Sequence, residues 1–120
     1  DAILLELGAD DSLRGIDPSI TKMNLQKILT KLEKTGVPIL FAGMVAPPNM
    51  GKEYGLEFEK AYLELAEANE VIFYPFFLEG VAGVPELNQE DGIHPNKEGV
   101  LEIVKRIAPF VIDLLKRVKL

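Results

Sequence analysis

Three apolar runs of similar length, separated by segments with helical spacing, constrain the fold more than any other feature. The runs are AILLEL at 2–7, VPILFAG at 37–43 and VIFYPFF at 71–77. Continuous apolar runs of this length are typical of strands that are buried on both faces, and helical connections make such strands parallel. The sequence therefore predicts an α/β protein in which helices cover a parallel sheet.

The segments between and after these runs have the apolar period of helices. An Asp-Pro pair predicts the start of the first helix, which spans 17–36 and ends at a glycine. A second apolar stripe predicts a helix over 58–69, and a third predicts a long last helix over 100–115 with a kink at Pro109. Residues 1–120 thus form one domain.

The composition argues against several classes of partner. The formal net charge is −6, and most lysines and arginines alternate with glutamates on predicted helices, so nucleic acid is not an expected partner. The sequence contains no cysteine and no apolar run of membrane-spanning length. The chain opens inside an apolar run, and three strands are fewer than the roughly five that are usual for such sheets. We therefore expect N-terminal strands of the sheet to precede Asp1.

Polar loops follow each predicted strand. These loops are GADD at 8–11, GMVAPPNMG at 43–51, and FLEGVAG at 77–83, which leads to DGIHPN at 91–96. Ligands of open parallel sheets bind outside the carboxyl ends of the strands, so these loops are the expected site.

Within DGIHPN, Asp91 stands three residues before His94, the only histidine of the chain. A carboxylate at this distance can orient the imidazole as a general base for a nucleophilic hydroxyl. The spacing alone occurs often by chance. The alternative is a helix start in which His94 or Asn96 is the cap and Pro95 fixes the first turn.

Four motifs occur in one order along the chain: LELGADDSLRG, AGMVAPPNMG, FFLEGVAG and DGIHPN. Together they resemble the SGNH, or GDSL-type, serine hydrolases, in particular the bacterial arylesterase and thioesterase I/lysophospholipase branch. The resemblance extends from Ile3 to the last helix. It implies a flavodoxin-like three-layer α/β/α fold with a five-stranded parallel sheet. It also implies hydrolysis of acyl esters or thioesters without a cofactor or metal.

The resemblance assigns roles to individual residues. Asp91 corresponds to the acid of the catalytic triad and His94 to its base. The block from Gly8 to Asp11 aligns with G-x-N-D, whose asparagine donates to the oxyanion hole, so Asp10 occupies that position and Gly8 is expected beside it. The loop with Pro47, Pro48 and Asn49 would border the acyl pocket, and Leu78 would reach its wall.

Two departures from the family pattern matter. The nucleophilic serine of the family lies in a G-D-S-L block upstream of all these motifs, and Ser12 and Ser19 belong to no such block. The serine is therefore expected before Asp1, either in the same chain or on a separate N-terminal segment. Asp10 replaces an amide by a carboxylate, which has no proton to donate when ionised. Arg14 is expected to neutralise Asp10 or Asp11, and the alternative role for Arg14 is contact with a substrate.

Two other functions remain open. One is a non-catalytic relative of the hydrolases that acts as a binding module. The other is a receiver-like domain in which Asp10 and Asp11 hold magnesium, although no later strand end offers the aspartate and lysine that such domains need. Family resemblance would allow a periplasmic or secreted protein, and the sequence does not decide the compartment.

Overall fold

The computed structural model describes residues 1–119. Its elements, in chain order, are β1 (Ile3–Glu6), α1 (Ala9–Leu13), α2 (Pro18–Glu33), β2 (Ile39–Ala42), a 3₁₀ turn (Pro48–Met50), α3 (Lys52–Ala68), β3 (Ile72–Tyr74), a second 3₁₀ turn (Pro85–Leu87) and α4 (Lys97–Lys116). The predicted alternation of strands and helices is confirmed.

The three strands form one parallel sheet in the order β1-β2-β3. Leu5 is paired with Phe41, and Phe41 with Phe73. All four residues of the central strand β2 are buried, as expected for a strand with neighbours on both edges and helices on both faces.

The two faces of the sheet are covered by different helices. Leu5 and Phe41 lie on one face, in a core shared with α2 and α3. Leu40, Ile72 and Tyr74 lie on the other face and pack against α4. This arrangement is the predicted α/β/α sandwich, with three strands in the described part of the chain.

Several boundaries differ from the predictions. The helix predicted over 58–69 begins six residues earlier, at Lys52, and α4 begins three residues earlier than predicted, at Lys97. The third strand ends at Tyr74 instead of residue 77, because the ladder with β2 skips one residue. The Gly43 N–H bonds the Tyr74 carbonyl (2.7 Å), but the Gly43 carbonyl accepts from the Phe77 N–H (2.9 Å) and not from residue 76. GADD does not form a simple turn, since residues 9–13 continue as the short helix α1. The last helix continues through Pro109 to residue 116.

Candidate active site

The loop that precedes α4 brings the two predicted catalytic side chains together. The Oδ2 of Asp91 lies 2.6 Å from the Nδ1 of His94. The Oδ1 of Asp91 accepts hydrogen bonds from the backbone N–H groups of Ile93 (2.9 Å) and His94 (3.0 Å). An aspartate that bonds the backbone two and three residues ahead stabilises a tight turn, so one side chain shapes the loop and holds the imidazole.

These contacts also keep the Asp91 carboxylate ionised. The hydrogen bond from His94, together with the two backbone donors, lowers the pKa of Asp91 to about 2. Because an ionised carboxylate can only accept, it selects the His94 tautomer with the proton on Nδ1 and leaves Nε2 as an acceptor. The His94 side chain is 71% exposed, so a reacting hydroxyl can reach the ring.

Asn96, and not His94, caps α4. The side-chain oxygen of Asn96 accepts from the Gly99 N–H (2.9 Å), and its amide donates to the Glu86 carbonyl (2.8 Å). Of the alternative helix start, the cap at Asn96 is confirmed, whereas a cap at His94 is wrong and Pro95 precedes the cap instead of fixing the first turn. The imidazole therefore has no capping role.

A cavity of about 620 Å³ lies beside this loop, at the carboxyl ends of the strands. Most of its lining is apolar. Three segments form the walls: α1, the 44–49 loop after β2, and the region from Phe76 to Ile93. Gly92 and Ile93, the two residues between Asp91 and His94, are part of the lining, whereas Asp91 and His94 flank them and are not part of it. The pair therefore lies at the edge of the cavity.

Comparison with known proteins identifies the family. A model described as the GDSL-like lipase/acylhydrolase family matches residues 1–100. The chain belongs to this family. The resemblance to SGNH hydrolases of the arylesterase and thioesterase branch is thus confirmed.

Relatives in this family extend over almost the whole chain. An arylesterase of Vibrio mimicus is 39% identical over 115 residues, which are 96% of this chain and 58% of the relative. The thioesterase 1/protease 1/lysophospholipase L1 of Escherichia coli is 34% identical over 115 residues, which are 96% of this chain and 51% of the relative. A crystal structure of TesA superposes with a TM-score of 0.89 at 34% identity, over 94% of this chain and 63% of that one. The chain thus spans about half the length of the curated relatives that it matches.

Of the five residues predicted to bind substrate in this GDSL-like chain, which include Gly8, four line the cavity. They are Pro47, Pro48, Asn49 and Leu78. The sequence did not predict that α1 contributes to the wall. The lining residues of α1 are Ala9, Ser12 and Leu13. Ser12 and Leu13 follow Ala9 by three and four positions, and this spacing could have indicated that the three residues share one face of a helix.

Asp10 and Gly8 are not part of the cavity lining. The Asp10 carboxylate lies 3.1 Å from the Nε of Arg14, and both side chains are exposed. This ion pair is one of the two that the sequence predicted for Arg14. Gly8 has a φ of +112° and forms the turn between β1 and α1. A Cβ at this position would lie 1.9 Å from the Tyr62 hydroxyl, so the turn requires glycine.

The remaining polar groups of the α1 region are engaged in local contacts. Asp11 accepts a hydrogen bond from the buried Thr21 hydroxyl (2.8 Å), so its carboxylate and that of Asp10 have different partners. In residues 1–119 no three acidic or histidine side chains gather as a metal site. The Ser12 hydroxyl donates to the Ala9 carbonyl (2.7 Å), and the Ser19 hydroxyl to Asp17 (2.9 Å).

None of the helices in residues 1–119 combines the length and apolar character needed to cross a bilayer.

Proposed function

We propose that this chain carries the acid and base of an ester or thioester hydrolase, and that the nucleophilic serine lies upstream of Asp1. The contact of 2.6 Å between Asp91 and His94, at the edge of an apolar cavity, carries the proposal. The esterase and thioesterase names of the relatives support the same reaction class.

In the proposed mechanism, the serine Oγ attacks the carbonyl carbon of the substrate while the Nε2 of His94 takes the hydroxyl proton. The tetrahedral intermediate collapses, and His94 returns the proton to the departing alkoxide or thiolate. Water then attacks the acyl-enzyme with His94 again as the base, which releases the carboxylic acid and the free serine. Asp91 holds the imidazole and stabilises its charged form in both half-reactions.

The cavity is the proposed site for the acyl group. Pro47, Pro48 and Leu78 contribute apolar surface to it, and Asn49 adds a polar group at the same wall. A pocket with mostly apolar walls and a few polar groups suits an acyl chain that ends in a polar ester. We therefore propose a small acyl ester or thioester as substrate, with no cofactor.

We propose that Asp10 weakens the stabilisation of the oxyanion. The family motif places an amide donor here, whereas an ionised carboxylate has no donor and repels the developing oxyanion. In the structure the Asp10 carboxylate forms an ion pair with Arg14, whose side chain is exposed to solvent. Gly8 would act through the turn that it forms, since it has no side chain.

Labelling with a fluorophosphonate tests the proposal, because this reagent reacts with a serine that a histidine activates. The protein should be isolated from its source with all residues that precede Asp1, labelled, digested and mapped by mass spectrometry. We expect one labelled serine, in a peptide upstream of Asp1, and no label after His94→Gln. A label on Ser12 or Ser19, or labelling that does not require His94, contradicts the proposed mechanism.

The presence of Asp10 also favours a second function, that of a non-catalytic relative which binds acyl compounds. In that case the protein would remain unlabelled and would hydrolyse no ester, but a fatty acid would still bind to the cavity. Isothermal titration with a fatty acid, together with the labelling result, separates the two functions.

A further inference from the structure

Two tyrosines of α3 bond the main chain at opposite ends of residues 7–16, which we call the α1 segment. The hydroxyl of Tyr62 donates to the carbonyl of Leu7 (2.7 Å), just before α1. The hydroxyl of Tyr54 donates to the carbonyl of Ile16 (2.6 Å), just after it. The two phenols therefore fasten both ends of α1 to one neighbouring helix.

The ring of Tyr62 is fixed by the core. Its side chain is fully buried, stacked on Phe41 (centroids 5.6 Å apart) and in edge contact with Phe58 (5.2 Å). Tyr54 stacks on the same Phe58 (6.0 Å), so both rings rest on one buried side chain. Burial raises the pKa of both phenols, which therefore remain protonated donors at ordinary pH.

The α1 segment depends on such external anchors. Its helix has five residues, too few to be stable by itself, and Gly8 supplies no side-chain cap. The turn at Gly8 lies directly against the Tyr62 hydroxyl, where no Cβ would fit. A shift of this hydroxyl would thus move the turn and the helix that follows it.

The position of the α1 segment determines part of the proposed site. Ala9, Ser12 and Leu13 line the cavity, and Asp10, the proposed oxyanion position, lies in the same helix. Neither tyrosine lines the cavity. An effect of either phenol on the reaction must therefore pass through the α1 segment.

We propose that Tyr54 and Tyr62 are positioning residues, which hold the α1 segment in place against the reacting carbonyl group. This inference rests on the proposed hydrolase function. It predicts that loss of either hydroxyl slows acyl transfer much more than it weakens substrate binding, because two of the three cavity walls, the 44–49 loop and the region from Phe76 to Ile93, do not belong to the α1 segment.

The test compares Tyr54→Phe and Tyr62→Phe with Tyr74→Phe in the protein that includes the upstream serine. Tyr74 is the third tyrosine of the chain and packs on Phe110 (4.8 Å), on the α4 face of the sheet. Since a misplacement of about 1 Å can cost roughly 100-fold in rate, we expect kcat to fall about tenfold or more in the first two variants. KM should change little, and Tyr74→Phe should retain the kcat of the wild type.

Amide hydrogen exchange measured by mass spectrometry gives a second readout, which does not depend on activity. We expect faster exchange confined to residues 8–16 in Tyr54→Phe and Tyr62→Phe. Unchanged kcat and unchanged exchange would overturn the proposal, as would an equal loss of kcat in Tyr74→Phe.

The two proposals fail in different ways. A wild-type protein without His94-dependent hydrolysis contradicts the proposed function and removes the catalytic part of this inference. Exchange in residues 8–16 then decides whether the phenols hold the α1 segment. If wild-type hydrolysis requires His94 but the tyrosine variants behave like the control, the proposed function stands and the positioning role is wrong.

Discussion

Replacement of Asp10 by asparagine should increase the activity of this protein. The family motif has an amide donor at this position, and loss of one oxyanion donor costs about 2.7 to 4 kcal/mol of transition-state stabilisation. Restoring the donor should therefore raise kcat by up to roughly 100- to 1000-fold, which is an upper bound because the new amide must turn toward the oxyanion. We expect an increase of at least about tenfold.

The structure indicates that this substitution costs little stability. The ion pair between Asp10 and Arg14 is formed by two exposed side chains, and such pairs contribute at most about 1 kcal/mol. Loss of a carboxylate from the first turn of α1 removes about 0.3 to 1 kcal/mol more. The free energy of unfolding should thus fall by less than about 2 kcal/mol, while kcat rises.

The assay is hydrolysis of a short-chain aryl ester by the protein that includes the upstream residues, with urea unfolding measured in parallel. Asp113→Asn is the matched control. Asp113 forms the same kind of exposed ion pair, with Arg117 one helical turn later (3.6 Å), at the end of α4. An Asp10→Asn variant with unchanged or lower kcat and normal stability would refute the oxyanion assignment of this position. An equal gain in Asp113→Asn would show an effect of net charge alone.

Three further predictions concern the acid, the base and the Gly8 turn. His94→Gln should lower kcat for the aryl ester by about 10⁴-fold or more, and Asp91→Asn by a similar factor, with normal circular dichroism; residual activity near that of the wild type would exclude the proposed roles. The pKa of Asp91 is lowered from its ordinary value of 3.8 to about 2 in the folded state, so between these pH values the folded state binds fewer protons than the unfolded state. The stabilisation that Asp91 contributes is therefore complete above pH 3.8 and is lost as the pH falls to about 2. Urea midpoints from pH 5 to 2 should therefore depend less on pH in Asp91→Asn; equal slopes would contradict this linkage. Gly8→Ala should destabilise the protein more than Gly36→Ala, because both positions have positive φ but only the first places a Cβ against Tyr62; equal urea midpoints would show that the Tyr62 contact relaxes freely.

The sequence predicted those parts of the structure that depend on local pattern. Asp91 and His94 are three residues apart, so a single turn brings them together, and their contact needed no knowledge of the tertiary fold. The buried strand β2 was equally predictable, since its four residues are all apolar and all packed. Pro47 and Leu78 were assigned by resemblance, and they line the cavity because their loops follow parallel strands.

The sequence did not predict features that arise between distant segments. The segment that forms α1 was interpreted as a loop because GADD has turn-forming residues. In the structure, Tyr54 and Tyr62, some 40 to 55 positions away in the sequence, bond the main chain on either side of this helix. The end of β3 depends on the hydrogen bond from the Phe77 N–H to the Gly43 carbonyl, which joins two distant segments and which no local sequence pattern predicts. The sequence predicted an ion pair of Arg14 with Asp10 or Asp11, and the choice of Asp10 depends on α1, which places Asp10 one helical turn before Arg14.

The loop that carries the proposed acid and base is also held by backbone contacts that need neither of their side chains, in addition to the two bonds to the Asp91 Oδ1. The Gln89 N–H bonds the His94 carbonyl (2.8 Å), and the Asn96 N–H bonds the Leu87 carbonyl (3.0 Å). In Asp91→Asn the amide oxygen can still accept from the backbone, as Oδ1 does now, whereas the Oδ2 acceptor for the imidazole is lost. The variants of His94 and Asp91 should therefore leave the loop in place, and their loss of activity would report on proton transfer and not on unfolding of the site.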